Sequence, residues 1–334
     1  MFKLKLKKAF SPVIFTLLSA VFASGQTPTP TPAPTPVDLE TILKNANAQT
    51  LNYREEFKNL LSEETKTFET FDKNGNLKKR TVIESNFIVY QSAKVQNYVT
   101  EYRYVFKVDG KLVGDSEERT TELFEKIAKS DTAEQELARI QKESSRYDKT
   151  LDIIGLTVFQ TPILADYSRP FFDFKLAGRE TNGGREVFVV EFRQTKRSPY
   201  ILIDEKNPDT AKYGLTYNLD LPDSIKKSDV LLRGKLWIDA ETFQLLREER
   251  DLTLQTENSP TPLFLLRNEF EYQPSDFKIF VPKRIALTYY ELKSKDKGRQ
   301  ISTVLNTKAT FEYAKFSKSE VEVKSNEVNS PKNQ

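Results

Sequence analysis

The sequence contains neither histidine nor cysteine, the two residue types on which much enzyme chemistry depends. Without them there is no Ser-His-Asp triad, no cysteine nucleophile, no imidazole base and no ordinary zinc site. The chemistry that remains is that of paired carboxylates, a Ser-Lys pair or a hard metal held by carboxylates alone. The GxSxG, P-loop and DxDxDG-like motifs are absent from the sequence. We therefore expect no catalytic site, no cofactor, no bound metal and no enzymatic activity.

Aromatic side chains between residues 98 and 106 are the clearest candidates for binding a ligand. Tyr98, Tyr102, Tyr104 and Phe106 lie on one face of a predicted strand, whose other face is mostly charged. Such a stripe is typical of a sheet core, and it would also suit the wall of an apolar groove. The candidate groove residues are Tyr102, Tyr104 and Phe106 from this strand and Phe124 and Ile127 from the segment that follows.

The elements that must position these residues are mostly strands. A first helix is predicted after Asp38, with an apolar face formed by Leu39, Ile42, Leu43 and Ala46. Downstream, apolar and polar residues alternate in roughly ten strands separated by turns such as Asn74-Gly75. Because helices do not alternate with these strands, we predict a mainly β (α+β) fold. It would be a strongly curved antiparallel sheet or open half-barrel with helices on the concave side.

A strongly charged insertion from about residue 117 to residue 147 interrupts the strands. It indicates one helix or two, whose apolar positions are Leu123, Phe124, Ile127, Leu137 and Ile140. Because these apolar side chains are few, they can bury only a narrow stripe of surface. We therefore expect the insertion to dock weakly on the concave side. Two alternatives remain: the insertion is a movable cover over an apolar face, or it is fixed and completes the core.

The first 25 residues have the order of a secretory signal peptide. Four lysines precede an apolar run from Ala9 to Ala23, which ends in small residues. The run is shorter than the roughly 18 apolar residues of a spanning helix, so we expect cleavage and no transmembrane segment in the mature chain. Export would place the mature protein in the periplasm or outside the cell.

Composition predicts the remaining boundaries. Residues 26–37 form a Pro/Thr-rich linker of polyproline II type, which is either a spacer or a solvated leader. Residues 38–316 are expected to form a single antiparallel β domain that includes the insertion. Residues 317–334 form a polar C-terminal tail.

The charge balance makes nucleic acid a poor partner. The chain has 51 Lys and Arg residues against 48 Asp and Glu residues, a formal net charge of +3, and removal of the four signal lysines leaves −1. A nearly neutral domain has no bulk attraction for a phosphate backbone. We therefore expect no nucleic-acid partner.

One predicted hairpin, from Gly234 to Glu249, is similar to a family motif. Its residues Trp237 to Arg247, WIDAETFQLLR, match the pattern W-[IL]-D-x-[ED]-T-x-x-[LV]-[LV]-[RK]. This turn resembles that of the LolA/LppX-like group of periplasmic lipid and lipoprotein carriers. The resemblance implies an unclosed β-barrel over roughly residues 38 to 316, with helices over a concave apolar face that holds acyl chains.

Together these observations predict an exported envelope protein that binds and does not catalyse. Its partner would be a lipid or lipoprotein, held as an acyl chain in a concave apolar face. The alternative is a structural or protein-interaction module of the cell envelope, whose core is filled by its own side chains and whose partner is another envelope protein.

We predict that the mature N-terminus lies at Ser24 or Gln26, because the small residues that end the apolar run are the recognition site for the signal peptidase. N-terminal sequencing of the protein from the envelope fraction measures this directly. Retention of Met1 would show that the segment is not a cleaved signal.

Overall fold

The computed structural model describes most of the chain between residues 37 and 318. The described residues are 37–92, 94–95, 99–147, 157–158, 160–203, 215–217, 219, 221, 225–226, 229–255, 261–295 and 300–318. The predicted signal peptide, Tyr98 and nearly all of the predicted linker and tail lie outside them. Within these residues the predicted fold class is confirmed, because the chain forms an open antiparallel sheet accompanied by α-helices.

Helix α1 (Leu39–Phe57) begins at the predicted cap. The Asp38 carboxylate accepts hydrogen bonds from the Thr41 backbone N–H at 2.9 Å and from the Thr41 hydroxyl at 2.8 Å, which satisfies a donor of the first turn. The buried face of the helix consists of Ile42, Leu43, Ala46, Tyr53 and Phe57. The helix thus uses the predicted stripe and extends it by two aromatic side chains.

Thirteen strands lie within the described residues. In chain order they are β1 (Leu60–Phe71), β2 (Leu77–Gln91), β3 (Val99–Val108), β4 (Lys111–Leu112), β5 (Phe172–Asn182), β6 (Arg185–Gln194), β7 (Ile201–Ile203), β8 (Leu215–Tyr217), β9 (Val230–Asp239), β10 (Leu245–Leu254), β11 (Leu263–Gln273), β12 (Val281–Lys295) and β13 (Gln300–Lys318). Eleven of them form one antiparallel sheet in the order β4-β3-β2-β1-β13-β12-β11-β10-β9-β6-β5. Strands β7 and β8 form a separate parallel pair, which the sequence patterns did not predict.

The side chains of the sheet point alternately to two faces. Helix α1 packs on one of them, where the Phe57 ring lies 6.1 Å from the Phe87 ring of β2. We call this the α1 face and the opposite one the outer face. Because directly paired residues share a face, Arg103 of β3, the partner of Phe87, lies on the α1 face. The adjacent Tyr102 therefore lies on the outer face.

Helices α2 (Ser116–Ala128) and α3 (Ala133–Ser144) pack on the outer face. Leu123 and Ile127 of α2 and Ile140 of α3 form a buried cluster with Tyr102. The sequence analysis expects the insertion on the same side of the sheet as the first helix. The structure divides the helices between the two faces, because the aromatic stripe of β3 points away from α1. Among the described helices, none is long and apolar enough to cross a membrane.

The α1 face contains a buried network of charges. Arg103 donates to Glu64 of β1 at 2.7 Å and to Glu101 at 2.9 Å. Glu101 also accepts hydrogen bonds from the Thr157 backbone N–H at 2.6 Å and from its hydroxyl at 2.7 Å. The Thr157 carbonyl oxygen accepts a hydrogen bond from Tyr53 of α1 at 2.7 Å. Such complete pairing is required, because each desolvated charge costs several kcal/mol if it is left alone.

A second buried ion pair lies opposite a glycine in the sheet. Arg250 of β10 donates two hydrogen bonds to Glu248, both of 2.9 Å. Its partner on β9 is Gly234. A Cβ atom at this position would collide with the carbonyl oxygen of Glu249 and would lie 2.7 Å from the Phe192 ring. Only glycine therefore allows β10 and this ring to approach so closely.

The β9–β10 hairpin shows what its sequence motif does. Asp239 accepts hydrogen bonds from the Thr242 backbone N–H and hydroxyl, both at 2.8 Å, and it pairs with Arg185 at 2.5 Å. The guanidinium of Arg247 lies 4.7 Å from the Trp237 ring. These residues of the motif therefore build the turn and cover its tryptophan, which is a structural role.

Lys66 of β1, on the α1 face, makes the stability of the fold depend on pH. It is 3% exposed, and its ammonium group lies 4.9 Å from the Phe311 ring. Burial, assisted by the charge of Arg103, lowers the pKa of Lys66 to about 7 from its ordinary value of 10.5. Below pH 7 the group is protonated in both the folded and the unfolded chain. Above it, the unfolded chain binds a proton that the folded chain lacks, so stability rises with pH until the ordinary pKa is reached.

We predict that Lys66→Met removes this rise. Between pH 6 and a pH of about 9, the free energy of unfolding should increase more for the wild type than for the variant. Urea unfolding over this range measures the difference. Lys79→Met, at an exposed position of β2, is the control and should keep the wild-type pH profile. Parallel profiles for the wild type and Lys66→Met would contradict the lowered pKa.

Candidate functional site

Most of the predicted groove residues meet where β2 and β3 contact helix α2. Tyr102 and Ile127 are buried in the cluster under the helices, with exposures of 4% and 6%. Tyr104 packs against this cluster and is half-buried. Phe124 contacts Tyr102 and is 38% exposed. The structure thus brings four of the five candidates together, on the outer face of the sheet.

Phe106 differs because it lies in a β-bulge. In the described register Ser85 pairs with Val105 and Glu84 pairs with Lys107, so Phe106 is the extra residue of β3. A simple alternating pattern continues through such a residue without revealing it. For this reason the sequence groups Phe106 with the aromatic stripe, whereas the described apolar cluster does not include it.

Phe124 forms the exposed part of this apolar contact. Its ring lies 5.8 Å from the Tyr102 ring, edge to face, and 6.4 Å from the Tyr90 ring of β2. Aromatic pairs at such separations stabilise beyond the area that they bury. More than a third of the Phe124 side chain nevertheless remains in contact with solvent. Phe124 therefore presents a small apolar surface to solvent, supported by the Tyr102 and Tyr90 rings.

Along the edge of β3, two serine hydroxyls form hydrogen bonds with backbone groups that a neighbouring strand would otherwise pair with. Strand β4 pairs only with the last two residues of β3. Ser116 of α2 donates to the Val105 carbonyl oxygen at 2.7 Å. Ser144 of α3 donates to the Glu101 carbonyl oxygen at 3.1 Å and accepts from the Arg103 backbone N–H at 3.2 Å. Because an open strand edge invites pairing with another chain, the helices protect the sheet as well as cover it.

Glu136 attaches the first half of α3 to the end of β2. This carboxylate is 1% exposed, accepts a hydrogen bond from Ser92 at 2.6 Å and pairs with Lys94. Burial, together with the neighbouring Glu136 charge, raises the pKa of Tyr90 to about 12. The Tyr90 hydroxyl therefore remains neutral at physiological pH and keeps its proton for a hydrogen bond.

Helices α2 and α3 enclose a cleft of about 370 Å³. Its lining residues are Arg119, Glu122, Leu123 and Lys126 of α2, Arg139, Lys142 and Glu143 of α3, and Arg146 just after the end of α3. The four residues of α2 have the spacing i, i+3, i+4, i+7, and the three of α3 have the spacing i, i+3, i+4, which places each set on one side of its helix. Where two helices pack against each other, the surfaces that face each other are ordinarily apolar. Here Leu123 is the sole apolar member of the eight, and the seam remains open.

The charges in this cleft are unequal in number. Five basic and two acidic side chains leave a net charge of +3. Glu122 pairs with Lys126 at 2.8 Å, and Glu143 pairs with Arg119 at 3.0 Å and with Arg146 at 3.1 Å. Both carboxylates are therefore already paired, and the cleft has an excess of basic groups.

The buried charges of the α1 face form the other concentration of ionisable groups. Arg103 pairs with both Glu64 and Glu101, and all three residues are at most 7% exposed. Within the described residues, no group of three or more side chains is arranged to hold a metal ion. The described groups of this network thus satisfy one another, whereas the cleft between α2 and α3 presents its groups to solvent.

Comparison with known proteins yields structural likenesses of low identity. Neither a protein-family model nor a curated protein matches the sequence. An outer membrane lipoprotein-sorting protein domain from Vibrio parahaemolyticus is 12% identical, with 87% of this chain and 97% of that chain covered and a TM-score of 0.34. A LolA superfamily protein from Nitrosomonas europaea is 9% identical, with 86% and 96% covered and a TM-score of 0.33.

A third similar structure is a DUF1329 family protein from Desulfovibrio piger. It is 10% identical, with 84% of this chain and 93% of that chain covered and a TM-score of 0.32. Of these three structures, the protein from Nitrosomonas europaea is the one described as a LolA superfamily member. TM-scores below 0.5 have no weight for function, so the site must be judged by its own residues.

The basic cleft is the part of the site that the sequence analysis missed. The signal was present, because Arg119, Glu122 and Lys126 repeat at helical spacing, as do Arg139 and Lys142 with their neighbours. Charge runs of this kind ordinarily form solvated helix faces. Only the packing of the two helices shows that both charged sides face each other.

We predict that replacing Phe124 and Ile127 by Ser detaches α2 from the outer face and leaves the sheet folded. The reason is that their apolar cluster is separate from the packing of α1 on the opposite face. Binding of a hydrophobic dye should rise, while circular dichroism should retain most of the β signal. Cooperative loss of the whole β signal would show instead that the insertion is an integral part of the core.

Proposed function

We propose that the protein is a non-catalytic protein of the cell envelope that binds a lipid, or the acyl chain of a lipoprotein, on the outer face of its sheet. The observation that supports this best is the position of Phe124. Its ring is held between Tyr90 and Tyr102 and is still 38% exposed. A large aromatic side chain beside other rings is the kind of surface against which an acyl chain gains free energy.

The outer face suits such a ligand better than the described part of the α1 face does. Phe57, Phe87, Phe270 and Phe311 on the α1 face are all less than 2% exposed. Their surroundings are already filled by α1 and the buried ion pairs. Around Phe124, by contrast, an apolar surface lies next to a charged cleft, an arrangement that fits a molecule with both an apolar and a polar part.

The sequence supports the remaining parts of the proposal. A cleaved signal peptide and a Pro/Thr-rich linker would precede one domain, residues 38–316, in the periplasm or outside the cell. The lack of histidine and cysteine removes the commonest general bases and nucleophiles. A binding role is therefore the simplest one for this chain.

A second candidate function is a structural or protein-interaction module of the envelope. The specific observation in its favour is the filled α1 face, since a fold whose described core is occupied by its own side chains needs no internal ligand. In that case the exposed ring of Phe124 would contact a partner protein. Lipid that remains bound to the purified protein would distinguish the first candidate from the second.

We predict that native mass spectrometry of the protein from a periplasmic extract detects bound lipid, and that Phe124→Ala weakens binding of a neutral fluorescent monoacylglycerol. Covering the exposed third of this side chain contributes on the order of 1 kcal/mol. Its removal should therefore weaken binding about fivefold. Fluorescence titration of both proteins gives the ratio of dissociation constants.

The matched control is Leu51→Ala, which removes an apolar side chain that is 59% exposed on α1. It should leave the dissociation constant unchanged. The proposal fails if neither lipid nor the probe binds. It also fails if the two variants weaken binding equally, because the effect would then be general and not confined to the site around Phe124.

A further inference from the structure

Arg139 and Lys142 differ from the other basic residues of the α2–α3 cleft. Arg119, Lys126 and Arg146 each pair with a carboxylate of the cleft. Within the described ranges, Arg139 and Lys142 have no acidic partner, although both line the same opening. Arg139 is half-buried and Lys142 is exposed. Among the described residues, these two cations of the cleft have no carboxylate that balances their charge.

The spacing of Arg139 and Lys142 makes their unbalanced positive charges destabilising for α3. Residues three apart on a helix are neighbours, and two like charges at this spacing destabilise the helix. Arg146, two residues beyond the end of α3, lines the same cleft and adds a third positive charge. An anion in the cleft would relieve this repulsion, because all three groups line it.

The types of the side chains indicate which anion fits. A guanidinium presents its N–H groups in a planar fork that matches the oxygens of a phosphate, and an ammonium adds a point charge. The volume of about 370 Å³ exceeds what a single phosphate fills and lies in the range of small-molecule sites. The cleft therefore has room for a phosphate together with the group that is attached to it.

We propose that the α2–α3 cleft binds the phosphate group of an amphiphile whose apolar part lies on the Phe124 surface. The inference rests on the proposed function and names the head of the ligand. Leu123 lines the cleft and Phe124 is the next residue of α2, about 100° around the helix. The two parts of the site are thus on adjacent sides of one helix, and one molecule with a head and a tail reaches both.

The experiment compares vesicles with free phosphate. The mature wild-type protein is sedimented with phosphatidylcholine vesicles, with and without phosphatidylglycerol, and inorganic phosphate is titrated separately by NMR. We expect binding to the vesicles that contain phosphatidylglycerol, and weakening of it by added salt. The double variant Arg139→Gln/Lys142→Gln should bind these vesicles about tenfold more weakly.

Two further variants separate the site from bulk charge and from misfolding. Lys78→Gln/Lys79→Gln makes the same change in net charge at exposed positions of β2 and should bind as the wild type does. Lys142→Gln alone, at an exposed position, should bind about threefold more weakly with an unchanged circular dichroism spectrum. Equal weakening by the Lys78/Lys79 variant, or no effect of the Arg139/Lys142 variant, overturns the proposal.

The inference and the proposed function can fail separately. If the neutral monoacylglycerol binds but the Arg139/Lys142 variant retains the preference for phosphatidylglycerol, the acyl site stands and the phosphate site is wrong. If inorganic phosphate binds and depends on Arg139 and Lys142 while vesicles and monoacylglycerol do not bind, the cleft is a phosphate site and the lipid assignment is overturned.

Discussion

Burial of the Arg103 guanidinium is the constraint on which the rest of this structure depends. A charge inside a sheet protein that loses its partner destabilises the fold by about 3–5 kcal/mol. Glu64 reaches Arg103 from β1, and Glu101 reaches it from β3 while it also holds Thr157. Thr157 in turn accepts a hydrogen bond from Tyr53 of α1. One ion therefore determines how two strands, the first helix and a connecting segment fit together.

The same strand supports the binding surface on its other side. Arg103 and Glu101 of β3 point to the α1 face, so the intervening Tyr102 must point outward. The buried ion network thus determines the orientation of Tyr102, against whose ring Phe124 packs. Helices α2 and α3 are attached to this surface by the apolar cluster around Tyr102 and by polar contacts, of which those of Ser116, Ser144 and Glu136 are the clearest. The charged cleft and the apolar surface of Phe124 therefore lie next to each other above one strand.

The sequence predicts the β class and the apolar stripe of α1 because both depend on local periodicity. It also predicts the turn at Asn74-Gly75, where the glycine has φ 81°. It could not tell which face each helix would cover, since the alternation in β3 fits two faces equally well. The basic cleft forms because Arg139 lies opposite residues that are about twenty positions earlier in the chain. No local sequence pattern contains this information. The sequence does not reveal that Phe106 is the extra residue of a bulge, because the bulge shifts the register by one residue without leaving a trace in the alternation.

The pairing of β1 with β13 has a consequence for how the protein folds. These strands are neighbours inside the sheet, and Glu63 and Lys315 form a salt bridge across 252 positions of the chain. Closure of so long a loop costs entropy before any contact compensates for it, and sheets with such distant partners fold slowly. The strands on either side of this junction can form hairpins early, whereas the junction must wait for the last strand of the sheet. Until then each half exposes an unpaired edge, so for a newly made chain the interval before this pairing is the period of greatest exposure to aggregation.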